Sequence, residues 1–165
     1  MEKNTVTSHI IKGIVIAAVL ILLNFFVRKQ GGIELPVILQ LAPTLLLLAG
    51  IIVSCLIFGN QTNGTMPRGD IFAHGFKTTA MVTFLVAVYT FIIVKFVFPH
   101  PASEIDEAVK IMVQKDNRME QEARRIAEAG FKKAWIFDVG GAIFATLITG
   151  LVGSLIGAAL AKKKA

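Results

Sequence analysis

Four long stretches of apolar residues, separated by shorter polar segments, dominate the chain. Each stretch is continuously apolar rather than alternating between apolar and polar positions, which is typical of helices that are surrounded by lipid or protein. A spanning helix needs roughly 20 mostly apolar residues, and only helices and closed barrels satisfy their backbone hydrogen bonds in lipid. The pattern therefore predicts an all-α, polytopic membrane protein. The four predicted spans are 10–27, 35–58, 78–98 and 134–161.

One polar segment, 102–133, is long enough to contain a helix of its own. It mixes acidic and basic residues with a narrow apolar stripe at helical spacing, which begins Ile105, Val109, Met112. This pattern predicts an amphipathic helix outside the bilayer, either continuous or broken in two, between spans three and four. Two interpretations remain open: the helix lies on the membrane or the bundle, or it is a docking helix for a partner or for itself.

Composition limits what else the chain can contain. The 165 residues, 55% of them hydrophobic, suffice for a single membrane domain, 1–165, and leave no room for a separate catalytic domain. The first apolar stretch has no small-residue cleavage pattern after it, so we expect it to remain as a membrane anchor. Cys55 is the only cysteine and lies within an apolar stretch, which predicts a small buried side chain.

The distribution of charge bears on topology. Four spans put the N-terminus, the 59–77 loop and the C-terminus on the same side of the membrane. That side carries seven lysines and arginines against ten on the other, but seven of those ten alternate with acidic residues within 99–133. The three lysines 162–164 directly follow the last span. By the positive-inside rule we therefore expect both termini in the cytoplasm.

The fourth span carries small residues at every fourth position. This spacing lets helix backbones approach closely, and its persistence over several turns predicts a close-packed face. Whether the face packs within one chain or between copies is left open. The predicted helix-packing face consists of Gly141, Ala145, Thr149, Gly153 and Gly157.

Each span also has one polar residue near the same end of the membrane, counted by depth from the helix ends. At about 1.5 Å per residue, these residues fall roughly 6–8 Å inside one leaflet. Lys95 and Asp138 have opposite charges and are expected to pair. Two interpretations of the layer stay open. Either the polar groups serve structure alone by pairing within the protein, or they form a polar vestibule for a ligand or ion. The candidate polar layer is Asn24, Gln40, Lys95 and Asp138.

No pattern in the chain predicts catalysis. His9, His74 and His100 are scattered near span ends without ligand spacing, so we expect no metal site. Phosphate-binding loops, nucleophile elbows and zinc-protease motifs are absent from the sequence. We therefore expect no catalytic residues, no cofactor, no enzymatic activity and no nucleic-acid partner.

The order of these parts resembles an uncharacterised family of small bacterial inner-membrane proteins, defined as a domain of unknown function. The similar features are Gly75-Phe76-Lys77 before the third span, Lys95-Phe96-Val97-Phe98-Pro99 at its end, the charged helix that follows, and the glycine-rich last span with its terminal lysines. The resemblance implies four spans and a location in the bacterial cytoplasmic membrane. It implies no activity.

Two functions follow from these observations. The first is a non-enzymatic assembly or interaction component, using the last span and the 103–133 helix, with a homo-oligomer or another membrane protein as partner. The second is a small transporter or channel subunit that uses the polar layer. Transport would need polar groups through the full depth of the bilayer. The other half of the spans holds little beyond Ser54, Thr79 and Thr83, which favours the first function.

Overall fold

The structure, a computed structural model, describes residues 7–29, 36–97, 102–116 and 118–161. Within these ranges the chain is helical apart from short turns, and it contains no strand. The third helix continues into one π-helical turn, Ile93–Val97. The helices are α1 (His9–Lys29), α2 (Val37–Gln61), α3 (Arg68–Ile92), α4 (Ala102–Asp116) and α5 (Glu120–Leu160).

Four of these helices are long and apolar enough to cross a membrane, which confirms the predicted all-α, multi-span class. Two of them begin earlier than the spans predicted from hydrophobicity. The third helix begins at Arg68 rather than at residue 78, because nothing between the turn and the apolar stretch interrupts a helix. The fourth spanning helix begins at Glu120 rather than at residue 134. The candidate spans are His9–Val27, Val37–Gln61, Arg68–Val97 and Glu120–Leu160.

A tight turn joins α2 to α3. Asn63 and Gly64 have φ values of 54° and 69°, and the Gly64 amide donates to the Gly59 carbonyl at 3.0 Å. This left-handed ending is a common way to terminate a helix, because it satisfies carbonyls that have no partner in the next turn. Pro67 directly precedes α3, where its fixed φ and missing amide hydrogen suit the start of a helix. The two helices are consequently antiparallel neighbours.

Backbone contacts group the chain into two units, Met1–Val86 with Ile143–Ala165, and Ala87–Ala142. The core of the first unit is built from α1, α2, α3 and the second half of α5. Large apolar side chains elsewhere on these helices are exposed, as expected of surfaces that face lipid. The buried apolar residues of this unit form two clusters, Ala17, Leu20, Leu47, Ile51 and Val82, and Cys55, Ile71, Ala158 and Ala161.

In the second unit, α4 packs against the first part of α5. Val109 of the predicted apolar stripe is buried with Ala123 and Ala127. Arg124 donates to Asp106 across the two helices at 2.9 Å, and both side chains are about half exposed. The predicted segment is therefore broken into two helices rather than continuous, and these two helices pack against each other. With 41 residues, α5 is about 60 Å long, roughly twice the hydrocarbon thickness and longer than one crossing of the bilayer requires.

Candidate functional site

The four residues of the predicted polar layer divide between the two units. Asn24 is half-buried in α1, and Gln40 is exposed in the first turn of α2. Lys95 is exposed in the π-helical turn, and Asp138 is half-buried in α5. The first two belong to the first unit and the last two to the second. Their arrangement as one layer, and the pairing of Lys95 with Asp138, stay predictions.

The predicted helix-packing face is used within the chain along its second half. Gly153 and Gly157 are buried against α2: a Cβ added at Gly157 would lie 2.6 Å from Cys55 Cβ, and one at Gly153 would lie 3.2 Å from Ile51 Cβ. Thr149 is half-buried and Ala145 is exposed. Gly141 is also exposed, with no atom of the described chain within 4 Å of an added Cβ. Neighbouring Gly150, Ser154 and Ala158 are buried as well.

The most unusual feature of the first unit is a contact between two buried basic side chains. Lys12 Nζ lies 3.3 Å from His74 Nε2 and 3.4 Å from the Ser54 carbonyl oxygen. Lys12 is only 9% exposed and His74 only 8%. Both residues lie within helices that are apolar enough to span a membrane. This pair is therefore an ionisable site inside the bundle rather than a surface charge.

Close packing of α1 on α3 explains how a lysine reaches this position. A Cβ added at Gly13 would lie 2.8 Å from Met81 Cβ and 3.2 Å from the Thr78 carbonyl oxygen. Any larger residue at 13 would push the two helices apart. The adjacent Lys12 is therefore held against α3, where its ammonium group meets the His74 ring.

Aromatic rings enclose the pair. The His74 imidazole stacks on the Phe58 ring with centroids 4.1 Å apart, and His9 meets His74 edge-on at 6.1 Å. Lys12 Nζ lies 5.8 Å from the Phe58 ring centroid, close enough for a cation–π attraction. These contacts fix the orientation of the imidazole, which leaves Nε2 directed at the ammonium group.

Hydroxyl groups extend the polar interior from the pair. Ser54 Oγ lies 3.4 Å from Thr78 Oγ1, and Thr78 also donates to the His74 carbonyl at 2.9 Å. Ser154 Oγ donates to the Gly150 carbonyl at 2.7 Å. Thr83 Oγ1 is buried and has no hydrogen-bond partner among the described residues. A buried hydroxyl without a partner is unusual and calls for an explanation.

The contact between Lys12 and His74 restricts their protonation. A charged Lys12 has three hydrogens to donate and no lone pair, so Nε2 of His74 must accept and the imidazole must be neutral. A second proton on His74 would remove that lone pair and leave two positive charges 3.3 Å apart. Such repulsion is strong where the surroundings are apolar. Asp70, the one carboxylate among the described residues of this unit, is exposed. With Lys12 charged, the described geometry thus holds one charge, and a second proton requires a rearrangement.

Sequence reasoning missed this site for two reasons. Lys12 is one of the seven lysines and arginines on the side expected to be cytoplasmic, although it interrupts an apolar run within predicted span 10–27. His74 was assigned to the segment before span 78–98, whereas α3 includes it. The signal that was available is the lone lysine inside the first span. His74 and Thr78, four residues apart on one helix face, could have supplied its partners.

The single cysteine, the third histidine and the terminal lysines lie in the first unit or outside the described ranges. Cys55 is fully buried, and its thiol lies 3.7 Å from the Ile71 carbonyl oxygen. No group of three or more histidine, cysteine or carboxylate side chains in the described ranges is arranged to hold a metal ion. His100 and the lysines 162–164 lie outside those ranges.

The chain matches a known protein family. A family model described as a protein of unknown function (DUF4199) matches residues 10–163. The chain belongs to this family. The match includes residues of all four spanning helices, and Lys12 and His74 lie within it. No curated protein and no solved structure matches the chain.

Proposed function

We propose that this protein is a small, non-enzymatic transport component of the membrane that moves protons, with Lys12 and His74 as its proton-binding centre. The observation that carries the proposal is the 3.3 Å contact between two basic side chains, each about nine-tenths buried within spanning helices. Ionisable groups inside a membrane are costly, and they mark ion paths and proton relays. A pair that holds one charge and must rearrange to take another proton is suited to that role.

The surroundings of the pair support a path through part of the bilayer. Ser54 and Thr78 are next to the pair. Thr83, whose hydroxyl has no hydrogen-bond partner among the described residues, lies nine residues after His74 on α3, which is about 13 Å along the helix axis. Beyond the pair, buried apolar side chains, including Leu20, Leu47 and Val82, fill the interior. The described conformation is therefore closed on that side, and proton passage requires these side chains to separate.

Proton flux into liposomes tests the proposal. Purified protein is reconstituted with a pH-sensitive dye inside, and a potassium gradient with valinomycin drives proton entry. We expect the wild type to acidify the interior faster than protein-free liposomes do. Lys12→Met and His74→Gln each return the rate to the protein-free level, because each removes one proton-binding group. Methionine is one atom shorter than lysine and fills most of the same space, and it leaves no unpaired charge behind because the His74 imidazole is neutral.

Lys77→Met is the matched control, since Lys77 is an exposed lysine three residues from His74 on the same helix. This variant keeps the wild-type rate. A wild-type rate equal to that of protein-free liposomes would contradict the proposal. So would unchanged flux in the two site variants.

Assembly or interaction with another membrane protein is a second candidate function. It is supported by the start of the small-residue stripe, where neither Gly141 nor the preceding Gly140 has a packing neighbour within 4 Å of an added Cβ. Backbone exposed in this way allows close approach of a helix from another chain. We expect a stable homo-oligomer or a stoichiometric partner when the tagged protein is purified in mild detergent and its native mass is measured. A monomer without co-purifying chains would argue against this role.

We also propose a location in the bacterial cytoplasmic membrane with both termini in the cytoplasm. The three lysines 162–164 after the last span support this orientation. A C-terminal alkaline phosphatase fusion should then be inactive, because that enzyme folds only outside the cytoplasm.

A further inference from the structure

The second unit contains a cleft of about 510 Å³ that the proposed function does not use. Its walls are apolar and include Val94 from the π-helical turn, Ile105 from α4 and Phe131 from α5. Two lysines, Lys95 and Lys132, line the same cleft. A basic cleft with apolar walls fits a ligand that carries both a negative charge and an apolar part.

Aromatic rings hold one of the two cations in position. Lys95 Nζ lies 5.2 Å from the Phe91 ring centroid, 5.5 Å from that of Trp135 and 5.9 Å from that of Phe96. The rings of Phe91 and Trp135 also pack edge to face, with their centroids 5.3 Å apart. These cation–π contacts orient the ammonium group and use none of its hydrogens in conventional hydrogen bonds. Because Lys95 is exposed, those hydrogens are accessible to an anion.

The π-helical turn contributes to this arrangement. Ile93–Val97 holds one more residue per turn than an α-helix, which redirects the side chains that follow, and such turns are frequent at functional sites. Here the turn carries two residues of the cleft lining, Val94 and Lys95.

Charge and depth point to the same ligand. The lining includes Lys95, Lys132 and Glu128, whose charges sum to one net positive charge, which suits a phosphodiester with one negative charge. Lys95 lies two residues before the end of the third spanning helix, at Val97. Tryptophan is enriched at the membrane–water boundary, where phosphate headgroups lie. A soluble anion would leave the apolar walls in water, whereas an acyl chain would cover them.

We propose that this cleft binds an anionic glycerophospholipid. Lys95 and Lys132 donate hydrogen bonds to its phosphate oxygens, and its glycerol and first acyl carbons lie against Val94, Ile105 and Phe131. Basic pockets between helices at the membrane surface recognise lipid headgroups in this way. The site is independent of the Lys12–His74 pair, so either proposal can fail without the other.

Native mass spectrometry of the full chain tests the site. The protein, purified and delipidated in mild detergent, is titrated with phosphatidylglycerol and, separately, with phosphatidylcholine. Each lysine near anionic lipid headgroups adds to the free energy of binding. We therefore expect the wild type to retain phosphatidylglycerol at concentrations roughly tenfold lower than phosphatidylcholine. Lys95→Gln with Lys132→Gln abolishes that preference, because the cleft then has no positive charge to favour the lipid with a net negative charge over the neutral one.

Two control variants separate recognition from folding. Lys95→Arg with Lys132→Arg keeps both cations, and arginine also binds phosphate, so this variant retains the preference. Lys115→Gln with Lys133→Gln removes the same net charge from exposed positions outside the cleft lining, and also retains it. Equal retention of the two lipids by the wild type would overturn the proposal. It would also be overturned by an unchanged preference in the double glutamine variant, or by equally effective competition from inorganic phosphate.

Discussion

Gly157→Leu is expected to destabilise the protein by about 3 kcal/mol, because a side chain at this position would overpack the interface of α5 with α2. A Cβ added there would lie 2.6 Å from Cys55 Cβ and 3.2 Å from Ile52 Cα. The second of these neighbours is backbone, which cannot move aside by a change of rotamer. The two helices must therefore separate. The midpoint of chemical unfolding in mixed micelles, followed by circular dichroism, measures the change.

Gly141→Leu is the matched control for this prediction. It is the same substitution in the same helix and the same small-residue stripe, but no atom of the described chain lies within 4 Å of the added Cβ. We expect its unfolding midpoint to stay within about 0.5 kcal/mol of the wild type, as for an exposed surface position. Equal destabilisation by the two substitutions would show that α5 does not pack on α2 through Gly157.

Ile51→Ala is expected to destabilise the protein by about 2 kcal/mol through the cavity it leaves. Ile51 is fully buried in the core of the first unit, and its side chain lies against Gly153 of α5. Lipid is as apolar as the core, so the loss comes from packing contacts rather than from exposure to water. For this reason we place the effect at the low end of the range found for such substitutions.

Ile57→Ala on the same helix isolates the role of burial. Ile57 is 41% exposed, so its truncation removes few contacts, and we expect a change within about 0.5 kcal/mol. Unfolding in mixed micelles, as for the glycine variants, compares the two. A similar loss for Ile51→Ala and Ile57→Ala would contradict the position of Ile51 at the centre of the bundle.

Burial of the small-residue face also bears on the choice between the two functions. Gly153 and Gly157, which supported assembly while the fold was unknown, pack against α2 of the same chain. Only the part of the stripe near Gly141 is left for another molecule. The sequence shows few polar residues in the half of the spans opposite the predicted polar layer, which argues against transport. Two of them, Ser54 and Thr83, are buried in the unit that contains the Lys12–His74 pair and add to its polar interior. These arrangements favour transport over assembly as the principal proposal.

For the second unit, the sequence predicted helix but did not identify what the helix packs against. Charged residues and an apolar stripe over 102–133 predicted helix outside the bilayer. The segment is helical, as α4 and the first part of α5, while its place outside the bilayer stays a prediction. The stripe could not indicate its partner, because a narrow row of Val, Met and Ala suits contact with any helix. The partner of Val109 turned out to be Ala123 and Ala127 of the same segment.

The sequence by itself determined the helical class and the number of spanning helices, and it predicted a close-packed face on the last one without showing which half of that face is used. These properties depend on local composition: long apolar runs can satisfy their backbone in lipid only as helices, and glycine at every fourth position permits close approach. Tertiary structure alone decided that Lys12 and His74, 62 residues apart, share one hydrogen bond. No local pattern encodes that contact, since it depends on how closely α1 approaches α3 at Gly13 and on the register of the two helices.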